Sequence, residues 1–145
     1  MSKQRIFIDT NVWFSYFYGS KNAEIIIDSF VNDEIIAVIS KNVLDELVKN
    51  IVQKMPKLEK IMFNFFDTCP PEVVDSPSEI DKDVKKYVDF KDRHIFQVCI
   101  DAGCKIFITG NLKDFDVNSI YKKYKIRVLS PKEAVIGLGL DTQPK

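Results

Sequence analysis

Histidine is almost missing from this 145-residue chain, with His94 as its one example. That argues against a histidine base and against a histidine-rich zinc site. Cysteine is scarce and odd in number: Cys69, Cys99 and Cys104 imply no disulfide framework. Cys99 and Cys104 lack two further ligands for zinc, and Cys99 sits on an apolar helix stripe, where packing accounts for it. An excess of positive charge is also missing, since 21 basic side chains face 21 acidic ones. Nucleic-acid binders commonly show such an excess. Acidic metal ligands subtract from the basic count, so composition neither supports nor excludes a nucleic-acid substrate. No apolar run reaches the length of a membrane span, and Met1–Arg5 leads straight into a short apolar segment instead of a signal sequence. The expectation is a cytoplasmic protein in a reducing compartment, with no membrane partner. Internal repeats, low-complexity runs and long linkers are absent, so a single domain over 1–145 is expected.

What is present is a balanced globular composition, 46% hydrophobic and 29% charged, with eleven phenylalanines. Arg5–Ile8 reads as a buried strand halted by the polar loop Asp9-Thr10-Asn11. Helices follow over Val12–Tyr18 and Asn22–Asn32. Ile35–Ile39 is a strand apolar enough for burial on both faces. Ser40 or Asn42 caps the next helix, in which Val43, Leu44, Leu47, Val48 and Ile51 recur at helical spacing. Leu58–Phe66 reads as a helix, and Thr68–Val74 as a weak strand whose pairing Pro70-Pro71 confines to its far end. Asp75–Ser78 is a turn. Glu79–Val88 and Asp92–Ala102 are helical, with Gly103 as a stop. Lys105–Thr109 and Arg127–Leu129 are strands; a short helix holds Tyr121, and Pro131 opens the last one. Strands separated by helices predict an α/β fold with a central parallel sheet covered on both faces, a three-layer α/β/α sandwich.

In such sheets ligands bind beyond the carboxyl ends of the strands. Asp9, Thr10 and Asn11 follow the first strand; Ser40 and Asn42 follow the second, with Glu46 deeper in its helix. Thr109, Gly110, Asn111 and Asp114 follow the later strand. Asp92 falls on the apolar stripe of its helix with Ile95, Phe96, Cys99 and Ala102, while Arg93, His94, Gln97 and Asp101 face away. Its side chain leans towards the helix N-terminus, the end at which Asp9 lies. Singly, each acid has an ordinary explanation: Asp92 as a cap, Asp9 as a turn residue, Glu46 and Asp114 as solvated acids. Together they form an all-oxygen set suited to magnesium or manganese, and a cation relieves the repulsion among converging carboxylates.

Four segments carry a resemblance to the PIN-domain nucleases: Ile8-Asp9-Thr10-Asn11-Val12, Val43-Leu44-Asp45-Glu46-Leu47, Lys91-Asp92-Arg93-His94-Ile95, and Phe107 through Phe115. It runs from about Arg5 to about Leu138. The resemblance implies a metal-dependent ribonuclease in which Asp9, Glu46 and Asp92 ligate Mg2+ or Mn2+. It implies that Asn11 orders the loop after the first strand and that Thr109 orients carboxylates or substrate. Small members of this kind resemble toxins of VapC type, held inactive by a cognate antitoxin protein and often homodimeric. The chain departs from the family pattern at Asn111, where an acid is common; Asp114 then supplies the fourth carboxylate, assisted by Asn111. Lys41, Lys91, Arg93 and Lys113 lie near the acidic segments and are candidates for RNA phosphate contacts. Trp13 and Phe14 follow the Asp9 loop, where core packing competes with base stacking. Two alternatives are weaker. A non-catalytic module of the same fold is motivated by Asn111. A small-ester phosphohydrolase is disfavoured because Asn11 stands where the haloacid-dehalogenase pattern needs a second Asp, and no glycine-rich Lys-Ser/Thr loop occurs.

Overall fold

β1 (Arg5–Ile8) is the centre of the sheet, and its apolar run suits that position because it is paired on both edges and covered on both faces. The computed structural model describes residues 3–77 and 79–140. Ser78, the end of the expected turn from Asp75, lies outside them, as do the two first and five last residues of the expected domain. After β1 come α1 (Thr10–Tyr18), α2 (Lys21–Val31), β2 (Ile36–Ser40), α3 (Lys41–Lys54), α4 (Glu59–Thr68) and β3 (Glu72–Val74). α5 (Lys82–Tyr87), α6 (Arg93–Asp101), β4 (Ile106–Ile108), α7 (Val117–Tyr124), β5 (Arg127–Leu129) and α8 (Pro131–Gly137) complete the order.

The five strands pair in the order β3-β2-β1-β4-β5, and every pairing is parallel. From β1 the chain builds outwards to β2 and β3, then returns to add β4 and β5 on the other side. The reversal falls between β1 and β4, which opens a crevice beyond their carboxyl ends. Helices α1, α2, α3 and α8 pack among themselves, as do α5, α6 and α7, so the sheet is the middle of three layers. Phe7 and Phe107 stack at 5.4 Å, and Phe96 of α6 meets Phe107 at 5.3 Å, which fixes one helical layer on the sheet. In the other layer Trp13 is completely buried against Phe30 and Phe66. Among the described residues no helix is long and apolar enough to cross a membrane.

Several boundaries differ from expectation for local reasons. α1 begins at Thr10, two residues early, because Asp9 caps it: Thr10 N–H donates to Asp9 Oδ1 at 2.7 Å. Thr10 and Asn11 therefore ride on a helix and not on a loop. Ser40, not Asn42, caps α3 by accepting from Val43 N at 3.1 Å. The helix expected over Glu79–Val88 shrinks to Lys82–Tyr87, and Val88 instead bridges antiparallel to Phe115. Gln97, expected on an open polar face, is 3% exposed. Its Oε1 accepts from Asp81 N and its Nε2 donates to Asp101, so a second helix covers that face. The expected strand over Thr68–Val74 pairs only at Glu72–Val74, beyond the two prolines.

Candidate active site

Asp9 ends β1 at the reversal of strand order. Its backbone N–H donates to Ile108 O at 3.0 Å, continuing the β1–β4 ladder by one residue. Its carboxylate is nearly buried and accepts twice, from Thr10 N on Oδ1 and from Thr109 Oγ1 on Oδ2 at 2.9 Å. Thr109 is itself buried, donates its N–H to Leu129 O, and its hydroxyl also accepts from Asn111 N at 3.1 Å. Asn11 reaches across the same gap, its Oδ1 accepting from Gly110 N at 2.9 Å. Gly110 leaves room for that approach, since a Cβ there would lie 3.3 Å from Asn11 Oδ1. Polar ties between the β1 and β4 ends thus hold Asp9 in one orientation. Thr109→Val keeps the shape and removes the donor, leaving a buried carboxylate oxygen unmet. The expected cost is about 1–3 kcal/mol, read as a lower urea midpoint; an unchanged midpoint would show that the hydroxyl does not support Asp9.

A cavity of about 460 Å³ opens at this point. Asp9, Asn11, Glu46, Lys91, Asp92 and Asn111 all line it, which brings together residues from four separate segments. Phe14, Asn50, Lys54 and His94 line it too, and sequence reasoning did not assign the last three to a site. Glu46 arrives exposed on α3, one side of the opening. Asp92 arrives from the turn Phe90–Asp92 that leads into α6. It makes no capping hydrogen bond, so the ordinary explanation for an acid at a helix start does not describe it.

Asp114 lies behind Asp92, on the wall of a neighbouring cavity, and not in the first one. Carboxylate oxygens of Asp89, Asp92 and Asp114 fall within 4.8 Å of one another. Asp89 was not anticipated; its only signal was its place three residues before Asp92 across a turn. Asp92 Oδ2 and Asp114 Oδ2 are buried without hydrogen-bond partners among the described residues. Lys91 Nζ comes within 3.4 Å of Asp114 Oδ2 as an ion pair, from a largely exposed position.

Electrostatics follow from this crowding. Burial raises the Asp9 carboxyl above its ordinary value, Glu46 and Asp114 add to the rise, and the bonds from Thr109 and Thr10 oppose it. Asp92 is pushed up to about 7, first by burial, then by the charge of Asp9, then by its close carboxyl–carboxyl contact with Asp114 and that group's charge, with Lys91 opposing. Asp114 in turn raises the Lys91 ammonium. Buried carboxylates that repel one another and leave oxygens unpaired have the donor chemistry for a hard divalent cation.

The predicted basic residues divide. Lys91 lines the first cavity and Lys113 the second, while Lys41 lines neither. Arg93 donates from Nε to Val88 O and from a terminal nitrogen to Lys85 O, so its guanidinium is spent on the backbone. Trp13 donates its indole N–H to Ile8 O and is a core residue, whereas Phe14 reaches the cavity.

Comparison with known proteins bears on this geometry. A family model described as PIN domain matches residues 5–113. No curated protein matches by sequence. Among solved structures, VapBC2 from Rickettsia felis, bound to a DNA fragment from its promoter, aligns with TM-score 0.62 at 14% identity, over 88% of this chain and 98% of that one. DNA-bound VapBC from Salmonella typhimurium aligns with TM-score 0.56 at 17% identity, over 88% and 98%. VapC20 from Mycobacterium tuberculosis, a toxin that cleaves the sarcin–ricin loop, aligns with TM-score 0.52 at 14% identity, over 84% and 98%. At these identities the structural likeness speaks for the fold.

Proposed function

The chain belongs to the PIN-domain family, and from that premise we propose that it is a magnesium- or manganese-dependent ribonuclease that hydrolyses phosphodiester bonds of RNA. The observation that carries this reading is Asp92: a buried carboxylate with an unpartnered oxygen, set between Asp9 and Asp114 and opening onto a cavity. Such a group is costly in a fold unless a cation meets it.

Asp9, Glu46 and Asp92 would hold the ion, with Asp114 supplying a further carboxylate from behind. Bound there, the ion supplies positive charge against phosphoryl oxygens and lowers the pKa of water. The chain's own residues do the positioning. Thr109 and Thr10 fix the Asp9 carboxylate, Asn11 locks the β1 end to Gly110, and Asn111 presents a neutral amide to the cavity. Lys91 offsets the charge of Asp114, and with Lys54 and His94 it lines the cavity a phosphate would enter.

A physiological role as the toxin of a toxin–antitoxin pair, restrained by a cognate antitoxin protein and active as a homodimer in the cytoplasm, is part of the same proposal. Its support is the shared fold with VapC and VapBC structures, one of them a toxin that cleaves the sarcin–ricin loop. The competing reading, a non-catalytic module, draws on Asn111 standing in place of an acid. Cleavage of total RNA separates the two. Wild type should cleave in magnesium or manganese and stop on chelation with EDTA, and Asp9→Asn should be inactive throughout. Equal cleavage by wild type and Asp9→Asn, or no cleavage by either, would defeat the enzyme reading.

A further inference from the structure

The turn Phe90–Asp92 is a partition between two cavities. Lys91 and Asp92 face the one just described; Asp89, Phe90 and Arg93 line the other, along with Lys85, Lys86 and Lys113. The acidic trio therefore sits at the boundary, with open space on both sides.

Phe90 is 80% exposed. An uncovered phenyl ring forgoes roughly 1.5–3 kcal/mol of burial, and nothing in the fold requires one here. The segment that carries it is nevertheless rigidly held. Asp89 N–H donates to Asp114 O at 2.8 Å and Asp116 N–H to Tyr87 O at 2.8 Å, while Val88 bridges Phe115. Arg93, fixed by its bonds to Val88 O and Lys85 O, lies 5.5 Å from the centre of the Phe90 ring and supports one face of it. An exposed aromatic ring on a braced turn is a stacking platform in waiting, with its orientation settled before anything binds.

The charges around it divide in the same sense. Among the described residues, Lys85, Lys86 and Lys113 are exposed and form no ion pair. The acids of this cavity have partners of their own: Asp116 accepts from Ser119 N and Oγ, Asp114 pairs with Lys91 Nζ, and Asp89 accepts from Lys91 N. Three uncommitted ammonium groups beside an aromatic ring suit a strand that offers phosphates and unstacked bases alternately. A duplex offers phosphates but hides its base faces, and an acidic peptide has no need of the ring.

We infer that this second cavity is a nucleotide subsite that holds single-stranded RNA next to the cleaved phosphate, with Phe90 stacking on a base and Lys85, Lys86 and Lys113 contacting the backbone. The inference rests on the ribonuclease reading and extends it. In that arrangement the strand crosses the Asp89–Arg93 partition and brings one phosphate over Asp92. Phe90 is a positioning residue, and its contribution is to binding.

The test is fluorescence anisotropy of labelled oligoadenylate on Asp9→Asn protein in magnesium, where cleavage is blocked. Adding Phe90→Ala should weaken binding on the order of tenfold, with Phe90→Trp restoring it. Loss of the ring should leave the salt dependence unaltered. Each of Lys85→Ala, Lys86→Ala and Lys113→Ala should lower the slope of log affinity against log salt by about 0.7. Equal affinity in the Phe90 and lysine variants would overturn the subsite even if the wild-type protein cleaves RNA. No oligoadenylate binding by the Asp9→Asn parent would overturn it too, while wild-type cleavage of total RNA separately decides the ribonuclease reading.

Discussion

Asp92→Asn is expected to remove RNA cleavage by a factor of at least about a hundred while making the metal-free protein more resistant to heat at neutral and alkaline pH. The two effects have one cause. Asp92 is 8% exposed, lacks a partner for Oδ2 and faces the charges of Asp9 and Asp114. Its carboxyl is pushed from an ordinary 3.8 up to about 7, so the folded chain holds a proton there that the unfolded chain has released. Between about pH 4 and pH 7 the folded state binds more protons than the unfolded state, and linkage then makes stability fall as pH rises. This is the reverse of a carboxylate in a salt bridge. Below about pH 4 both states are protonated and the penalty vanishes; above about pH 7 it is fully present. Asparagine carries no charge and escapes it.

A divalent cation should reverse the sign. Manganese binding only the folded wild type would, at a hundred times its dissociation constant, add about 2.7 kcal/mol. Thermal unfolding in EDTA and in manganese, at pH 5 and pH 8, separates the cases. Wild type should be less stable at pH 8 in EDTA and regain stability with manganese, whereas Asp92→Asn should lose less between pH 5 and pH 8, keeping only the part owed to the raised Asp9 carboxyl, and should respond little to manganese. A wild-type transition that ignores both pH and manganese would remove Asp92 from the site.

Trp13→Ala should cost about 3–5 kcal/mol, enough to threaten a domain of this size. Trp13 is fully buried and packs against Phe30 at 6.1 Å and Phe66 at 5.5 Å. It also donates to Ile8 O at 3.1 Å, the carbonyl just before Asp9. Truncation leaves a large cavity and removes that hydrogen bond together, at the root of the helix that follows Asp9. Trp13→Phe keeps most of the ring and should cost less, chiefly the lost indole bond. Because Trp13 is the only tryptophan, unfolding is best followed by circular dichroism in urea. A midpoint for Trp13→Ala within error of wild type would mean that the ring does not hold α1 to α2 and α4.

Sequence by itself determined the parts that depend on short-range pattern. Arg5–Ile8 and Lys105–Thr109 read as buried strands because, after the leading basic residue, each is an unbroken apolar or β-branched run, and β1 and β4 lie within those bounds. The parallel, helix-covered sheet followed from the alternation of such runs with 3.6-residue periodicity. Asp9, Asp92 and Asn111 were placed by the sequence because each follows a strand or opens a helix at one end of that sheet, with Glu46 deeper in its helix; the four line one cavity.

Tertiary structure alone decided what depends on packing between distant segments. No periodicity announces that Asp114 lies behind Asp92 or that Asp89 joins them, since those contacts arise from the Val88–Phe115 bridge and the Asp89–Asp114 backbone bond. Gln97 turned inwards because Asp81, the residue that precedes α5, supplies a backbone donor that Gln97's own helix cannot foretell. The Arg93 guanidinium was drawn to carbonyls in and just after α5, and Phe90 was left uncovered beside it. Helical and strand patterns encode which face of an element is apolar; which polar groups then meet across the gap is set by the angle and height at which the elements dock.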